Sequence, residues 1–507
     1  MSCSIAVRNL TQAPISIKRV EQFEDPNTLQ SNSGGYILGP RNTTSAAPSA
    51  PELGEHAESF QHQVLDVTLA PFESYTLGQT VSKESDSDGA PRAIPALRLT
   101  IESLTGDRHR IDIHPSYTQK SSNIFTPLSA GPSKGYTALF HPTRPTAHLT
   151  IHTHHLPDYQ TWMSTIPDTL PLSALSIPGT HNSHTYYRAL PSVRCQSVDI
   201  ATQLSHGVRF LDIRLQPAHA TDVSKKDLQL VHGAFPISLT GPKYFAPILQ
   251  TCYDFLAQHP SETILMSLKR EGIGGATDHH LAHLLTQHYI SHAREKWYTD
   301  TTIPSFGAVR GKIVLIRRFQ APEPLGLDAT SWPHNATHAL FPPQNPNFCI
   351  QDFCDVAVPT TIPEKIQYVN EHLGRAASIT YQLGHRQFNK NDISDGVRVT
   401  APIHLNFLSA SNFWKRACWP ENIAKVVNKG MEEWMCVGHG LEDAPAEERE
   451  PGRVVDNDGD YAGIARVRMK ARGDGGTGVV VMDFVGEGGD WDLVGLVVGM
   501  NMGVLAS

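Results

Sequence analysis

At 507 residues the chain exceeds the size at which a single hydrophobic core stops growing, so two domains are expected. Its 40% hydrophobic and 18% charged residues describe an ordinary globular protein, and the formal net charge of -8 excludes a nucleic-acid binder that works by neutralising phosphates. The same charge disfavours strong attraction to an anionic bilayer but leaves a neutral interface open.

The first residues, Met1-Ser-Cys-Ser-Ile-Ala-Val-Arg-Asn9, lack the apolar run and cleavage signal of a leader peptide, and no window is apolar enough for a transmembrane segment. A cytoplasmic or membrane-peripheral monomer is expected, with non-classical secretion left open. Seven cysteines, an odd number with no Cys-x-x-Cys pair, fit a reducing compartment.

Residues 1–155 read as an all-β, sandwich-like domain. Ser4-Ile-Ala-Val-Arg8, Ile15-Ser-Ile-Lys-Arg19, His62 to Leu69, Leu97-Arg-Leu-Thr-Ile101 and His148 to His154 alternate apolar and polar residues. Polar links at 31–54, 82–92 and 119–135 separate them. The role of this domain is open between a docking module and a scaffold. His148, His152, His154 and His155 lack a neighbouring Cys or carboxylate before Asp158, so strand and surface histidines are favoured over a zinc site.

Residues 156–507 change pattern. Eight short apolar runs start near Leu175, Val208, Leu228, Thr263, Lys312, Phe348, Ile403 and Val479. Helical stretches at 242–258, 275–292, 363–376 and 420–434 lie between them, the last opening on Pro420. Eight buried strands with intervening helices predict an α/β fold, a (β/α)₈ TIM-like barrel, irregular where connections are short. A doubly wound sheet is the runner-up, but no Gly-x-Gly-x-x-Gly or Walker loop supports it. Asp456-Asn-Asp-Gly-Asp460 fails as a calcium loop, because its glycine is misplaced and the twelfth-position glutamate is absent. Residues 491–506 read as a buried terminal element.

Polar residues punctuate the strand ends. They are His181, Asp212 with Arg214, His232, Lys269 with Glu271, Arg317 with Arg318, Asp352, Asn406 and Asp483. In a barrel these ends converge on one mouth, where active sites are built. Three stretches carry the chemistry: Ser176-Ile-Pro-Gly-Thr-His-Asn-Ser183, Gly207-Val-Arg-Phe-Leu-Asp-Ile-Arg214 and Leu230-Val-His-Gly233. Two histidines can divide the work of general base and general acid, and an arginine between them can hold an anionic phosphate. That set points to phosphodiester cleavage.

These stretches resemble the X domain of phosphatidylinositol-specific phospholipase C, more the single-barrel bacterial type than the calcium-dependent signalling type, over roughly 160–500. Glu262 to Glu271, Gly311 to Arg318, Ile350-Gln-Asp352 and Asn406-Phe-Leu-Ser409 extend the likeness. The resemblance implies cleavage of phosphatidylinositol to diacylglycerol and inositol 1,2-cyclic phosphate, with possible peripheral contact with a membrane. It implies His181 as base, His232 as acid, Asp483 as orienter of His181, and Asp212 as a partner of His232 or of the phosphate network. Lys269, Arg318, Asp352, Asn406 and Asn182 would line the substrate pocket. Arg214 stands where calcium-dependent relatives have a carboxylate ligand, which implies no cofactor; calcium near Asn182 and Asp212 is the alternative. Cys354 replaces a tyrosine that often stacks on the inositol ring, which leaves the head group open. The competing readings are a glycerophosphodiester phosphodiesterase, whose Glu-x-Asp metal pair is missing here, and an inactive lipid-binding barrel.

Overall fold

The computed structural model describes residues 4–11, 13–24, 61–77, 95–113, 123–128, 135–141, 146–153, 159–190, 192–381, 401–437, 439, 441–442, 470–471 and 473–506. The links 31–54 and 82–92, His154, His155 and 456–460 lie outside them. The chain divides into two compact units, Met1–His154 with Leu441–Ala471, and His155–Gly440 with Arg472–Ser507.

In the first unit, alternation produces two five-stranded sheets. One runs Ser74–Leu77, Ser4–Leu10, Thr146–Thr153, Tyr136–His141, Asn123–Ile124; the other runs Gln61–Leu69, Ile15–Glu24, Pro95–Ser103, Arg108–Ile113, Thr126–Pro127. Every second residue is apolar, so each strand turns one face inward. Ile5, Val7, Ile17, Leu99, Ile101, Leu149 and Ile151 from both sheets share one core. The stretch expected as a polar link, 119–135, contains two of the short strands, with Phe125 buried between them. His152 takes a strand position and its Nε2 lies 3.1 Å from Thr150 Oγ1.

In the second unit, seven parallel strands curl into an incomplete TIM-like barrel. Their spatial order is Ile313–Arg318, Ile264–Arg270, Phe210–Pro217, Ile177–Thr180, Val479–Met482, Ile403–Phe407, Phe348–Gln351. Among the described residues no ladder joins the two outer members, so the barrel is open on that side. Phe210 pairs in parallel with Leu265, which excludes an antiparallel sandwich for this unit. One expected stave is corrected. Leu228–Leu230 runs antiparallel to Phe210–Pro217, with Leu215 opposite Leu230. The ten residues at 218–227 are too few for a parallel crossover, which takes about a dozen or more.

Alternate strand residues divide two cores. Phe210, Leu265, Val314, Ile316, Ile350, Leu405 and Val481 fill the interior. Leu211, Ile213, Met266, Leu268 and Leu315 pack outward against helices. Helix Phe245–Gln258 buries Phe245, Ile248, Leu249, Cys252 and Leu256, one stripe at helical spacing. The helix expected at 275–292 is regular only over Asp278–Leu284, then widens into a π turn at Leu285–Ile290. Helices Ile362–Ala377 and Pro420–Val437 fall where 363–376 and 420–434 are expected, the second opening on its proline.

The floor is tied by charge. Arg209 and Glu262 are both fully buried and 2.8 Å apart, and Arg209 also donates to the carbonyls of Leu204, Tyr159 and Gln160. Trp162 Nε1 donates to Gly207 O at 3.0 Å and fixes the entering chain against the barrel base. The terminal helices Asp492–Gly499 and Met502–Ala506 are buried, and Asn501 exchanges hydrogen bonds of 2.9 and 2.8 Å with the backbone of Ser176. No helix among the described residues is long and apolar enough to cross a membrane.

Candidate active site

The parity that sorts the cores also builds the site. Asp212 and Arg214 continue the inward series begun by Phe210; Lys269 continues Leu265, Arg318 continues Ile316, Asp352 continues Ile350, and Asp483 continues Val481. His181 follows the strand Ile177–Thr180 and its backbone N–H donates to Met482 O at 2.9 Å. His232 sits on the turn after Leu228–Leu230, so the antiparallel hairpin delivers it to the mouth in place of a stave.

The two histidine rings stand 6.4 Å apart at 89°. His181 Nδ1 lies 2.9 Å from Asp483 Oδ1, and His232 Nδ1 lies 2.8 Å from Val193 O. A carbonyl only accepts, so His232 carries a proton on Nδ1 and a lone pair on Nε2. Arg214 Nη2 lies 2.9 Å from His181 Nε2, and a guanidinium only donates, so that nitrogen also offers a lone pair. Asn182 Nδ2 donates to both Nε2 atoms, at 3.1 Å each. Both basic nitrogens therefore face one point. Asn182 is held there with φ at 43°, a costly left-handed conformation. Thr185 locks it, donating from both N and Oγ1 to Asn182 O at 2.8 Å.

Positive charge surrounds that point. Arg214 bonds Glu271 Oε1 at 2.9 Å and Asp212 Oδ2 at 3.3 Å. Arg318 reaches Asp212 Oδ1 at 3.4 Å and lies 3.7 Å over the Trp332 ring. Lys269 meets Glu271 at 2.6 Å. Three cations thus face two carboxylates. Burial opposes ionisation of Asp212, but Arg214 and Arg318 hold it well below the usual carboxylate range. Burial likewise opposes Glu271, yet Arg214 and Lys269 bring it down to about 2. Burial, then Arg214 and His181, push His232 down to about 3. Burial also disfavours charge on His181, but Asp483 outweighs it and raises the ring to about 10. The two influences on His181 oppose each other: Asp483 draws a proton onto the ring, whereas the Arg214 contact at 2.9 Å requires Nε2 without one.

Asp352 joins the rim through Trp332, whose Nε1 donates to its Oδ2 at 3.1 Å. Asn406 does not join. It falls between the inward residues Leu405 and Phe407, and its side chain is buried against Gln351 Nε2 at 2.8 Å and Val369 O at 3.0 Å. It braces the strand to helix Ile362–Ala377, a correction to its expected place in the pocket. Arg317 faces outward too, bonding the carbonyls of Leu325 and Phe319. Phe353 turns to Tyr368, with ring centroids 5.2 Å apart, so it does not replace the absent tyrosine. Trp332 and Phe407 supply the aromatic wall instead, 5.2 Å apart, with Phe407 6.1 Å from His181. Glu271 ties Arg214, Lys269 and the backbone N–H of Gly233, at 3.0 Å, into one frame.

Calcium does not fit this donor set. The ion takes about six to eight oxygens. Here Asp212 is engaged by two guanidinium groups and by Ser267 Oγ at 3.3 Å, while Asp483 serves His181. The calcium alternative near Asn182 and Asp212 is set aside on that ground.

A family model described as phosphatidylinositol-specific phospholipase C, X domain, matches residues 169–319. Residues 169–319 are therefore similar to this X domain. The match takes in His181, Asp212, Arg214, His232, Lys269, Glu271 and Arg318, while Asp352 and Asp483 complete the mouth from beyond it. The 1-phosphatidylinositol phosphodiesterase of Listeria monocytogenes is 34% identical over 176 residues, covering 33% of this chain and 51% of the relative. That of Staphylococcus aureus strain Newman is 27% identical over 192 residues, covering 35% and 58%. The chain thus spans about half the length of the curated relatives it matches. A crystal structure of a pentafluoro-Phe variant of Staphylococcus aureus phosphatidylinositol-specific phospholipase C aligns with 68% of this chain and 98% of its own, at 20% identity and a TM-score of 0.48.

Proposed function

We propose that the X domain is a metal-independent phosphodiesterase. In this reading it cleaves phosphatidylinositol, or a closely related inositol lipid, to diacylglycerol and inositol 1,2-cyclic phosphate. The observation that carries the reading is the convergence of His181 Nε2, His232 Nε2 and Arg214 on one point, marked by Asn182 Nδ2 at 3.1 Å from each histidine. His181 Nε2 takes the proton of the inositol 2-hydroxyl as its oxygen attacks phosphorus. The bond to the diacylglycerol oxygen breaks, and His232 returns a proton to that oxygen. Asp483 fixes the His181 tautomer and stabilises the imidazolium that forms. Arg214 donates to non-bridging phosphate oxygens, with its charge held in place by Asp212 and Glu271.

His181 must enter the reaction neutral, the state its Arg214 contact requires, although Asp483 favours charge on it; His232 must enter protonated, although Arg214 and His181 disfavour its charge. A phosphodiester anion seated between them offsets Arg214 and restores the proton to His232. Substrate binding thus arms the acid. Arg318 and Asp352 contact Trp332, and with Lys269 they would hold the inositol ring.

An amphiphilic substrate is favoured over a soluble glycerophosphoinositol by the surface beside His232. Phe235 stacks on Phe413 with centroids 4.9 Å apart, Trp414 is 86% exposed, and Leu239 is 58% exposed. Contiguous exposed apolar groups next to an anion site fit a lipid surface. The test is phosphorus NMR of products from phosphatidylinositol vesicles in excess chelator. Inositol 1,2-cyclic phosphate formed at an undiminished rate supports the reading. A glycerophosphate product, or activity lost in chelator and restored by calcium, overturns it.

A further inference from the structure

A second cluster of side chains lies on the opposite face of the same sheet. Cys349 sits between Phe348 and Ile350, both in the barrel interior, so its thiol points outward beneath helix Ile362–Ala377. His372 comes from that helix. His338 comes from the segment that pairs antiparallel over the same strand, where Leu340 lies opposite Cys349. One donor atom from each of His338, Cys349 and His372 lies within 4.8 Å of the other two.

Two observations point to a ligand. His372 is fully buried, and neither ring nitrogen has a hydrogen-bond partner, though the backbone of Cys349 lies close enough to favour a proton on it. A buried imidazole that leaves a ring nitrogen unmatched is costly unless something binds it. The spacing also fits. A tetrahedral ion with metal–sulfur and metal–nitrogen bonds of about 2.3 and 2.0–2.1 Å sets a sulfur–nitrogen edge of about 3.6 Å. Cys349 Sγ and His338 Nδ1 are 3.7 Å apart.

We propose that His338, Cys349 and His372 bind one borderline-soft divalent transition-metal ion of the zinc class, with the fourth position open to water beside the exposed His338. Two imidazoles and a thiolate suit such an ion and not calcium or magnesium. Burial keeps both imidazoles neutral, with Arg375 contributing at His338 and His404 then Arg375 at His372. Arg375 is itself countered by Glu371 at 3.4 Å. Burial pushes the Cys349 thiol up to about 11, so the ion displaces its proton on binding. The site would clamp helix Ile362–Ala377 and the His338 segment onto Phe348–Gln351, the strand at the open margin of the barrel. The metal has no part in phosphodiester cleavage, so this site and the proposed activity stand or fall separately.

The full chain, stripped with chelator and dialysed, is titrated with cobalt and then zinc. One cobalt per chain should bind with a thiolate-to-cobalt charge-transfer band, and zinc should displace it. Cys349→Ser should abolish the band. His338→Ala, at an exposed position, should weaken binding at least tenfold while vesicle hydrolysis shows the protein still folded. Absence of the band in the wild type, or equal cobalt affinity in wild type and His338→Ala, overturns the proposal.

Discussion

Arg214 holds three relationships at once. It donates to His181, is clamped by Asp212 and Glu271, and disfavours charge on His232. The first two need the planar fork and not only the charge. Arg214→Lys should therefore lower kcat on phosphatidylinositol roughly 10²–10³-fold, as loss of an aligned transition-state donor does. Arg214→Gln makes a second check by titration. Removing the cation should raise the pKa of His232 in ligand-free protein, read from its ring nitrogen shifts by NMR; an unmoved or lower value would contradict the electrostatics. Asp483→Asn has the opposite sign at His181. The raised ring contributes stability that is present in full below its unfolded pKa and lost as pH rises through about 10. The stability gap between wild type and Asp483→Asn, followed by urea denaturation, should be widest near neutral pH or below and narrow toward pH 10. At this scale the sequence was legible where a polar residue ended an apolar run, as with His181, Arg214 and Asp483. Asn406 misled because it lies one residue off the inward parity, and the strand reads Ile403-His-Leu-Asn-Phe407 with buried residues on both faces. Trp332 gave no signal, since its loop has no period.

The elements explain why the first motif is built as it is. A Cβ on Gly179 would stand 2.8 Å from Phe210 Cβ, so only glycine lets the strand before His181 lie against its neighbour. Gly179→Ala should cost about 1–3 kcal/mol in urea denaturation and lower activity by shifting His181. The buried Arg209–Glu262 pair is a harsher lesion. Glu262→Ala leaves a buried guanidinium without its counter-charge and should cost about 3–5 kcal/mol. The parallel strands were readable because runs such as Ile264–Arg270 and Ile313–Arg318 are apolar on both faces, as buried parallel strands are. Leu228–Leu230 was misread as a stave because three alternating residues look alike in either direction. The length of the link to it held the answer.

Across the second unit, polar chemistry and an apolar rim share one mouth. Trp414 and Phe413 follow the strand Ile403–Phe407, and Phe235 follows His232, so the rim is contributed by turns beside the site. Trp414→Ala should reduce hydrolysis of vesicles several-fold and leave a soluble inositol phosphodiester unaffected; equal loss on both would remove the interfacial role. The division of proton transfer between the two histidines is tested most directly with a soluble inositol phosphodiester whose leaving group is a nitrophenolate, compared with one bearing an alkyl alcohol. A nitrophenolate departs without a proton, so it bypasses the acid but not the base. His232→Ala should lose roughly 10²–10⁴-fold on the alkyl substrate and recover most of its rate on the nitrophenyl one, while His181→Ala stays impaired on both. Recovery by His181→Ala with no recovery by His232→Ala would reverse the assignment, and equal loss by both variants on both substrates would contradict it.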